Sequence, residues 1–269
     1  MNVGQVSNSL RQLKLLYLVD KLQYFYQKSK NSKINKEFEA NNPTIILPPD
    51  YLIYESFQMN YDKYYNGGKE TAIWLKKYLK KHTQLEGKKI LDWGCGPGRI
   101  IRHLPNLVGN NCEFFATDYN EKTINWCSQN IPEVKFNKNS LSAKLPYPDD
   151  YFDVIYGISI FTHLSEKLHY DWYRELWRIL KPNGILFLTT QGDNYKPKLT
   201  NKELGSYETG KLVVRGMVKE GHRTYSAFHP KVFMNMLFKN DTVLEHVETI
   251  SDVDNWQPNQ DVWIVKKIS

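Results

Sequence analysis

The chain is expected to fold as an α/β domain built on a doubly wound, mostly parallel sheet, and three features of its 269 residues carry that expectation. Short apolar runs alternate with helical stretches from residue 88 onward. The first run ends in a glycine-rich turn, Asp92-Trp93-Gly94-Cys95-Gly96-Pro97-Gly98. Two late apolar runs follow one another with no helix between them. Strand–helix alternation dictates right-handed βαβ units, so the strands run parallel under helices on both faces. Successive strands without an intervening helix make an antiparallel pair, here at the end of the sheet.

Taken in order, Leu10 to Lys28 has Leu13, Leu16, Tyr17, Tyr24 and Phe25 at helical spacing among lysines. Packing of this helix on its own domain or on a second subunit is preferred over an interfacial membrane role. Ser29 to Asn42 is rich in Asn, Lys and Ser and reads as a linker. Residues 1–50 are therefore expected to be an N-terminal helix and linker, and 51–269 the domain, with the ordered body resuming at Pro48-Pro49. Tyr51 to Lys81 is patterned as helix, broken at Gly67-Gly68, with Ile73, Leu75, Tyr78 and Leu79 on its apolar side. Strands are expected at Lys89–Asp92, Cys112–Thr117, Asp153–Gly157 and Ile185–Thr190, and helices at 98–105, 120–130 and 164–180. The long segment Gln191 to Arg223 is expected to contain a hairpin at Gly210–Met217, and residues 193–229 to form a substrate insertion or lid. Leu244–Ile250 and Asp261–Lys267 are the closing antiparallel pair.

An apolar content of 41% suffices for one substantial core. The formal charge of +7 is spread over pairs such as Lys76-Lys77, Lys80-Lys81 and Lys266-Lys267, which describes a solvated basic surface rather than a nucleic-acid tract. Cys95, Cys112 and Cys127 form neither a CxxC nor a His/Cys cluster, so no disulfide framework and no metal site is indicated. The N-terminus lacks a signal-peptide pattern and no apolar run reaches membrane-spanning length, so a cytoplasmic location without a transmembrane segment is expected.

In a doubly wound sheet, ligands bind outside the carboxyl ends of the strands, which puts the loop Asp92-x-Gly94-x-Gly96-x-Gly98 at the site. Side chains at those glycines would block close approach of the backbone to a ligand and resist positive φ. The spacing lacks the third glycine of a dinucleotide fingerprint, which disfavours a nicotinamide enzyme. Asp118, about 20 residues further on at the end of the next strand, suits the two hydroxyls of a ribose.

The order Ile90-Leu91-Asp92-Trp93-Gly94-Cys95-Gly96-Pro97-Gly98-Arg99, then Asp118, then Leu145-Pro146-Tyr147 with Tyr151-Phe152-Asp153-Val154-Ile155-Tyr156, then Trp177-Arg178-Ile179-Leu180-Lys181-Pro182-Asn183-Gly184, resembles class I S-adenosylmethionine-dependent methyltransferases over residues 88–192. Within that class it is similar to bacterial members with a type 11-like domain. These carry Gly-Arg-Ile-Ile-Arg-His-Leu after the loop, Ile158-Ser159-Ile160-Phe161-Thr162-His163-Leu164 after the fourth strand, and a closing Gln260-Asp261-Val262. Some act on glycans or lipid-linked sugars. The resemblance implies a Rossmann-like, seven-stranded, mostly parallel sheet with an antiparallel final strand, and S-adenosylmethionine as cofactor with S-adenosylhomocysteine as product. It also implies a cofactor site made by Asp92, Gly94, Cys95, Gly96, Gly98, Asp118, Tyr119, Asn139, Ser140, Gly157 and Ile158. Backbone around Gly94 and Gly96 would meet the methionyl part, Asp118 the ribose, Tyr119 the adenine face and Asn139 with Ser140 its edge, while Gly157 and Ile158 would lie near the methyl group. The sequence departs from the family where Asn139-Ser140 lacks a common Asp and where Asn183 replaces the first glycine of a Pro-Gly-Gly turn, although Asn tolerates the left-handed conformation.

Methyl transfer from a sulfonium needs chiefly alignment and exclusion of water, with a general base when the acceptor is a hydroxyl. His163, just past the fourth strand, is the first candidate base and His229 the second. His222, Tyr61 and Tyr65 are candidate substrate contacts, the tyrosines as a cap over the site. Cys95 is read as a small loop residue rather than a nucleophile. Arg99 and Arg102 are expected to pair with acidic side chains. O-methylation of a small molecule or glycan is the leading functional expectation, with N-methylation next. A nucleic-acid methyltransferase is ranked below it for want of the tetrad that receives an extruded base. A cofactor-binding scaffold without turnover is the third alternative, and a homodimer or partner docked through the N-terminal helix is the expected use of that helix.

Overall fold

The computed structural model describes residues 3–109, 111–248 and 259–268. Two helices lead, α1 (Val3–Gln12) and α2 (Leu16–Asn41), followed by α3 (Asp50–Ser56) and α4 (Tyr61–His82). The sheet then begins with β1 (Lys89–Trp93), and a 3-10 turn at Ile101–His103 leads into the short α5 (Leu104–Val108). After these come β2 (Glu113–Asp118), α6 (Glu121–Asn130), β3 (Val134–Lys138), β4 (Phe152–Gly157), α7 (Glu166–Ile179) and β5 (Leu180–Thr190). The insertion contains α8 (Asn201–Glu208), β6 (Val213–Arg215) and β7 (Ser226–Phe228), and α9 (Lys231–Leu237), β8 (Thr242–Val247) and β9 (Asp261–Lys266) complete the order.

Seven strands form one sheet in the order β3-β2-β1-β4-β5-β9-β8, parallel except at β9 and β8. This is the Rossmann-like, doubly wound sheet expected, with the chain reversing its winding direction between β1 and β4. Period-two alternation sends neighbouring residues of β1 and β4 to opposite faces. Leu91, Trp93 and Ile155 join a core with Trp172 and Leu176 of α7 and Phe233 of α9, while Ile90, Val154 and Tyr156 join one with Leu75 and Leu79 of α4 and Cys127 of α6. Each such fully buried large side chain contributes about 1.5–3 kcal/mol relative to exposure.

Six details differ from the sequence-based expectation. Ser29 to Asn42 is not a linker, because α2 continues to Asn41. Buried Asn35 accepts from the Tyr61 N–H at the start of α4, and buried Phe38 packs at 6.3 Å on Tyr65. These tertiary contacts outweigh weak helix propensity. The helix expected over Leu10–Lys28 is instead divided at Leu13–Leu15, where Lys14 turns to φ 56. Gly67-Gly68 does not break α4, since a Cβ on Gly68 would stand 2.3 Å from the Arg99 carbonyl oxygen and the glycine lets the two backbones meet. The helix expected at 98–105 is reduced to the 3-10 turn and five residues of α5, and β3 is a strand that no pattern announced. Gly210–Met217 is not a hairpin by itself, because β6 pairs with β7 ten residues beyond it, Val213 opposite Phe228. Asn183 takes φ 64, which preserves the turn into the body of β5. The closing pair is present as β8 and β9, and Thr249 and Ile250 of the expected strand lie outside the described residues.

Candidate functional site

The carboxyl ends of β1, β2 and β4 open onto one cleft, whose rim is completed by α3 and by the insertion. After β1 the chain turns sharply, and Gly94, Gly96 and Gly98 all have positive φ, at 77, 52 and 75. A Cβ on Gly94 would stand 2.2 Å from Ile160 Cδ1, so the residue type is dictated both by conformation and by the β4 loop packed against it. The Gly94 and Cys95 N–H groups donate to the Thr117 carbonyl at 2.8 and 2.9 Å, tying the loop to β2. Asp118 ends β2 with its carboxylate accepting from the Gly96 N–H at 2.9 Å and the Asn120 N–H at 2.8 Å. Burial pushes its carboxyl pKa up while those two N–H groups oppose the rise.

Asp92 is buried on the same floor and accepts from Tyr156 Oη at 2.8 Å. Burial is the main cause that raises its pKa to about 7, and neighbouring Asp118 adds to it. Arg99 is the nearest opposing cation, yet its guanidinium bonds the Gly67 carbonyl and the Thr71 hydroxyl rather than a carboxylate, and burial lowers its pKa to about 10. Arg102 likewise reaches the Ile46 carbonyl and Tyr64 Oη instead of an acid. Neither arginine makes the acidic pairing expected of it.

The loop after β4 carries the second half of the site. Ser159 is held at φ 66, a left-handed conformation costing on the order of 1–3 kcal/mol for a residue with a Cβ. Its restraint comes from three directions: its N–H donates to Thr189 Oγ1 at 2.8 Å, its hydroxyl contacts Thr162 Oγ1 at 2.9 Å, and Gln260 Nε2 donates to that hydroxyl at 2.8 Å. Thr189 in turn donates to Gln260 Oε1 at 2.6 Å, so Gln260 at the entrance to β9 braces the whole turn. His163 follows, with Nδ1 2.8 Å from the Tyr225 carbonyl oxygen. A carbonyl only accepts, so Nδ1 carries the proton and Nε2 keeps its lone pair. Burial lowers the pKa of His163, which favours that neutral form.

Of the residues singled out in the sequence, Asp92, Gly94, Cys95, Gly96, Asp118, Tyr119, Ile158 and His163 line the cleft. Asn139 and Ser140 line a recess continuous with it, which shares Gly94, Asp118, Tyr119 and His163 and is floored by Trp93 and Trp172. Asn139 Oδ1 is buried there without a hydrogen-bond partner. Gly98 lies behind the loop against Cys127 and Ile131, and Gly157 lies under the Trp93 ring, where a Cβ would stand 2.7 Å from Cε3. Both act by close packing, since neither faces the open space. Burial pushes the Cys95 thiol well up, which leaves it a poor nucleophile.

Other candidates are placed elsewhere. His229 is buried away from the cleft with Nε2 2.8 Å from His169 Nε2. His169 Nδ1 lies 2.7 Å from the Ser165 carbonyl and must hold its proton there, so His229 Nε2 is the donor of the pair. Tyr61 donates to Asp50 at 2.6 Å, and Tyr65 packs edge-on against His103 at 4.8 Å; neither lines the cleft. The capping tyrosine is Tyr64, buried, with Oη donating to the Pro97 carbonyl at 2.6 Å to brace the glycine loop from behind. His222 meets Thr224 Oγ1 at 2.9 Å and the edge of Tyr17, one layer outside the cleft.

Residues that sequence reasoning missed include Leu52, Glu55 and Ser56 of α3 and Gly221 and Arg223 of the insertion, all lining the cleft. Glu55 accepts from Asn120 Nδ2 at 2.9 Å, and burial followed by the Asp118 charge raises its pKa. Arg223 lies over the Tyr54 ring at 4.1 Å and pairs with Asp20 of α2 at 2.9 Å. The only local signal for this arrangement was the length of the insertion.

A family model for a methyltransferase domain matches residues 90–184. Among curated proteins, the chain is 30% identical over 151 residues to the ubiquinone/menaquinone biosynthesis C-methyltransferase of Chromobacterium violaceum, covering 52% of this chain and 60% of that one. It is 27% identical over 154 residues to phthiotriol/phenolphthiotriol dimycocerosates methyltransferase 1 of Mycobacterium ulcerans, covering 52% and 54%. The chain thus spans about half the length of the curated relatives it matches. Among solved structures it is similar to a SAM-dependent methyltransferase of Methanosarcina mazei, with a TM-score of 0.56, 19% identity, and coverage of 71% of this chain and 97% of the other. Another from Aquifex aeolicus gives a TM-score of 0.51 at 18% identity, covering 83% and 100%. At these identities the structural likeness bears on fold.

Proposed function

Because residues 90–184 are a class I S-adenosylmethionine-dependent methyltransferase domain, we propose that the protein methylates a small molecule or glycan, at oxygen, with His163 as the base. The observation that carries this reading is the neutral His163 imidazole, its Nε2 lone pair free beside the cleft because Nδ1–H is committed to the Tyr225 carbonyl at 2.8 Å.

The residues present fit the cofactor. Asp118, oriented by two N–H groups, has lone pairs left for the ribose hydroxyls. The orphaned Asn139 Oδ1 suits the exocyclic amine of adenine, with Tyr119 and Leu141 bounding the same recess. Asp92 suits the methionyl ammonium, and the guanidinium of Arg99, which makes no hydrogen bond to an acid, suits the carboxylate at the other end of that group. When bound, the cofactor supplies a methyl group on a sulfonium that departs as a neutral thioether. Ile158 and Ser159 would then fix the approach line of the acceptor, and α3 with Arg223 would exclude water. His163 Nε2 would take the hydroxyl proton as the new C–O bond forms, leaving imidazolium stabilised by the Tyr225 carbonyl at Nδ1.

C-methylation is the second reading, favoured by the activity named for the Chromobacterium violaceum relative. A ring carbon made nucleophilic by an adjacent hydroxyl needs the same proton removed, so His163 would serve either acceptor. The test is calorimetric titration of S-adenosylmethionine and S-adenosylhomocysteine, with cofactor consumption screened over sugars, phenols, small metabolites and RNA. Binding of both with turnover on one small-molecule class supports the proposal. Turnover on RNA alone, or no cofactor binding, overturns it.

A further inference from the structure

The first half of α2 turns an apolar face to solvent. Leu18 is 57% exposed, Leu22 61%, Phe25 55% and Tyr26 58%, with Leu15 and Val19 at 40% each. At about 100° per residue these six side chains fall within an arc of about 120° on the helix. The opposite side is the one that packs: Asp20 accepts from Tyr54 Oη and pairs with Arg223, Tyr17 Oη accepts from the Lys219 N–H, and Asn35 and Phe38 reach the body further along. α1 fastens the same helical unit to the insertion, because Arg11 is buried and donates to the carbonyls of Arg215, Gly216 and Thr224. The apolar stripe is therefore held outward by contacts made on the other side of the helix.

Charge decides what the stripe faces. Between Leu13 and Lys36 the chain has six lysines, Lys14, Lys21, Lys28, Lys30, Lys33 and Lys36, and one acid, Asp20, which is turned inward. By the same helical angles Lys21 and Lys28 run along one border of the stripe, Lys28 paired with Asp50 at 2.8 Å, Lys30 lies on the other border, and Lys33 and Lys36 continue its line toward the end of α2. Two copies packed stripe to stripe would set lysines against lysines, and the nearby acids Asp50 and Glu37 are each already paired with a lysine of their own copy. An apolar strip bordered by lysines is complementary to a bilayer with anionic headgroups, into which leucine and phenylalanine insert while the ammonium groups stay at the phosphates. Among the described residues no helix is long and apolar enough to cross a membrane, which leaves a helix lying in the interface.

We infer that the outward face of α2 docks the protein on an anionic phospholipid surface. The inner face of the same helix holds Arg223 at the rim of the cleft, so docking brings the cleft mouth within about one helix diameter, roughly 10 Å, of the headgroups. The inference does not depend on the identity of the methyl acceptor.

Sedimentation of the full chain with sucrose-loaded vesicles tests it, using mixed phosphatidylcholine–phosphatidylglycerol and pure phosphatidylcholine. Wild type should bind the mixed vesicles, and about tenfold less to pure phosphatidylcholine or at high salt. The triple variant L18Q/L22Q/F25Q should lose about tenfold in partition, as should K14Q/K21Q/K30Q, and both should keep wild-type helicity because these side chains point to solvent. No binding of wild type to mixed vesicles overturns the inference. So does a dimer, seen by light scattering, that L18Q/L22Q/F25Q converts to monomer while vesicle binding is absent, since the stripe then belongs to a second copy.

Discussion

Replacing Asp118 by Asn removes one charge and little else, and the structure says where the effect should appear. The carboxylate accepts from the Gly96 and Asn120 N–H groups at 2.9 and 2.8 Å, one on each oxygen. An amide has a single carbonyl oxygen, so it can keep one of these bonds, and its NH2 group must turn from the other donor. Both ribose hydroxyls would lose a charged acceptor. Charge-assisted hydrogen bonds contribute about 1.5–3 kcal/mol against about 0.5–1.5 for neutral ones, so two weakened bonds amount to about 2–3 kcal/mol, or roughly 30- to 150-fold in Kd. Stability should respond differently. Burial already raises the carboxyl pKa, meaning the free protein gains nothing net from the charge, and loss of one backbone bond is offset by removal of a desolvation cost. The expected change in Tm of the free protein is within about 4 °C. Calorimetric titration of S-adenosylhomocysteine into wild type and Asp118→Asn, alongside thermal unfolding without ligand, separates the two effects. A Kd within about threefold of wild type in a folded variant would refute the assignment of the ribose to Asp118, because no arrangement of an amide replaces both bonds.

Gly94→Ala should abolish cofactor binding and lower stability, since φ 77 disfavours a Cβ and the added atom would stand 2.2 Å from Ile160 Cδ1; retention of affinity within about twofold would show that the loop has room to yield. Asp92 should make cofactor affinity pH-dependent. Its raised pKa of about 7 means the free native state holds a proton that the unfolded chain releases near pH 3.8, so this residue's contribution to stability falls as pH rises between those values. A bound ammonium favours the ionised form, so S-adenosylhomocysteine should bind about tenfold more tightly per pH unit below 7 and level off above it, a slope that Asp92→Asn should flatten. His163→Ala should lower kcat by about 100-fold at pH 7.5 with Kd for S-adenosylhomocysteine within about threefold, and unchanged turnover would remove it as base. Gln260→Ala, outside the cleft, should loosen the Ser159 turn braced by its two side-chain bonds; KM for the acceptor should rise more than Kd for the cofactor, measured by steady-state kinetics and titration.

Local pattern was enough for the half of the cleft built on β1 and β2. Short continuous apolar runs announce β1 and β4, and a turn with three glycines of positive φ needs those residues at those positions, so Asp92, Gly94, Gly96 and Asp118 were legible without coordinates. β3 escaped because Val134-Lys135-Phe136-Asn137-Lys138, although Val134 and Phe136 alternate with polar residues, is a five-residue edge strand with only Val134 fully buried. The polar composition of Ser29 to Asn42 misled because Asn35 and Phe38 are held by partners 26 and 27 residues away, which outweigh propensity.

The sequence by itself pointed to the doubly wound sheet, the glycine loop, the acid at the end of β2 and the resemblance to methyltransferases, since each is written in spacing along a few consecutive residues. Only the tertiary structure decided that His163 rather than His229 faces the cleft, that Glu55 and Arg223 line it, and that Arg11 and Asp20 fasten the leading helices to the insertion. Those contacts join residues as much as 213 positions apart. They arise because the strand order puts the ends of β1, β2 and β4 at one edge, where any segment long enough to return can dock. Which segment returns depends on how well its buried polar groups are satisfied there, a property of facing surfaces that spacing along one chain does not encode.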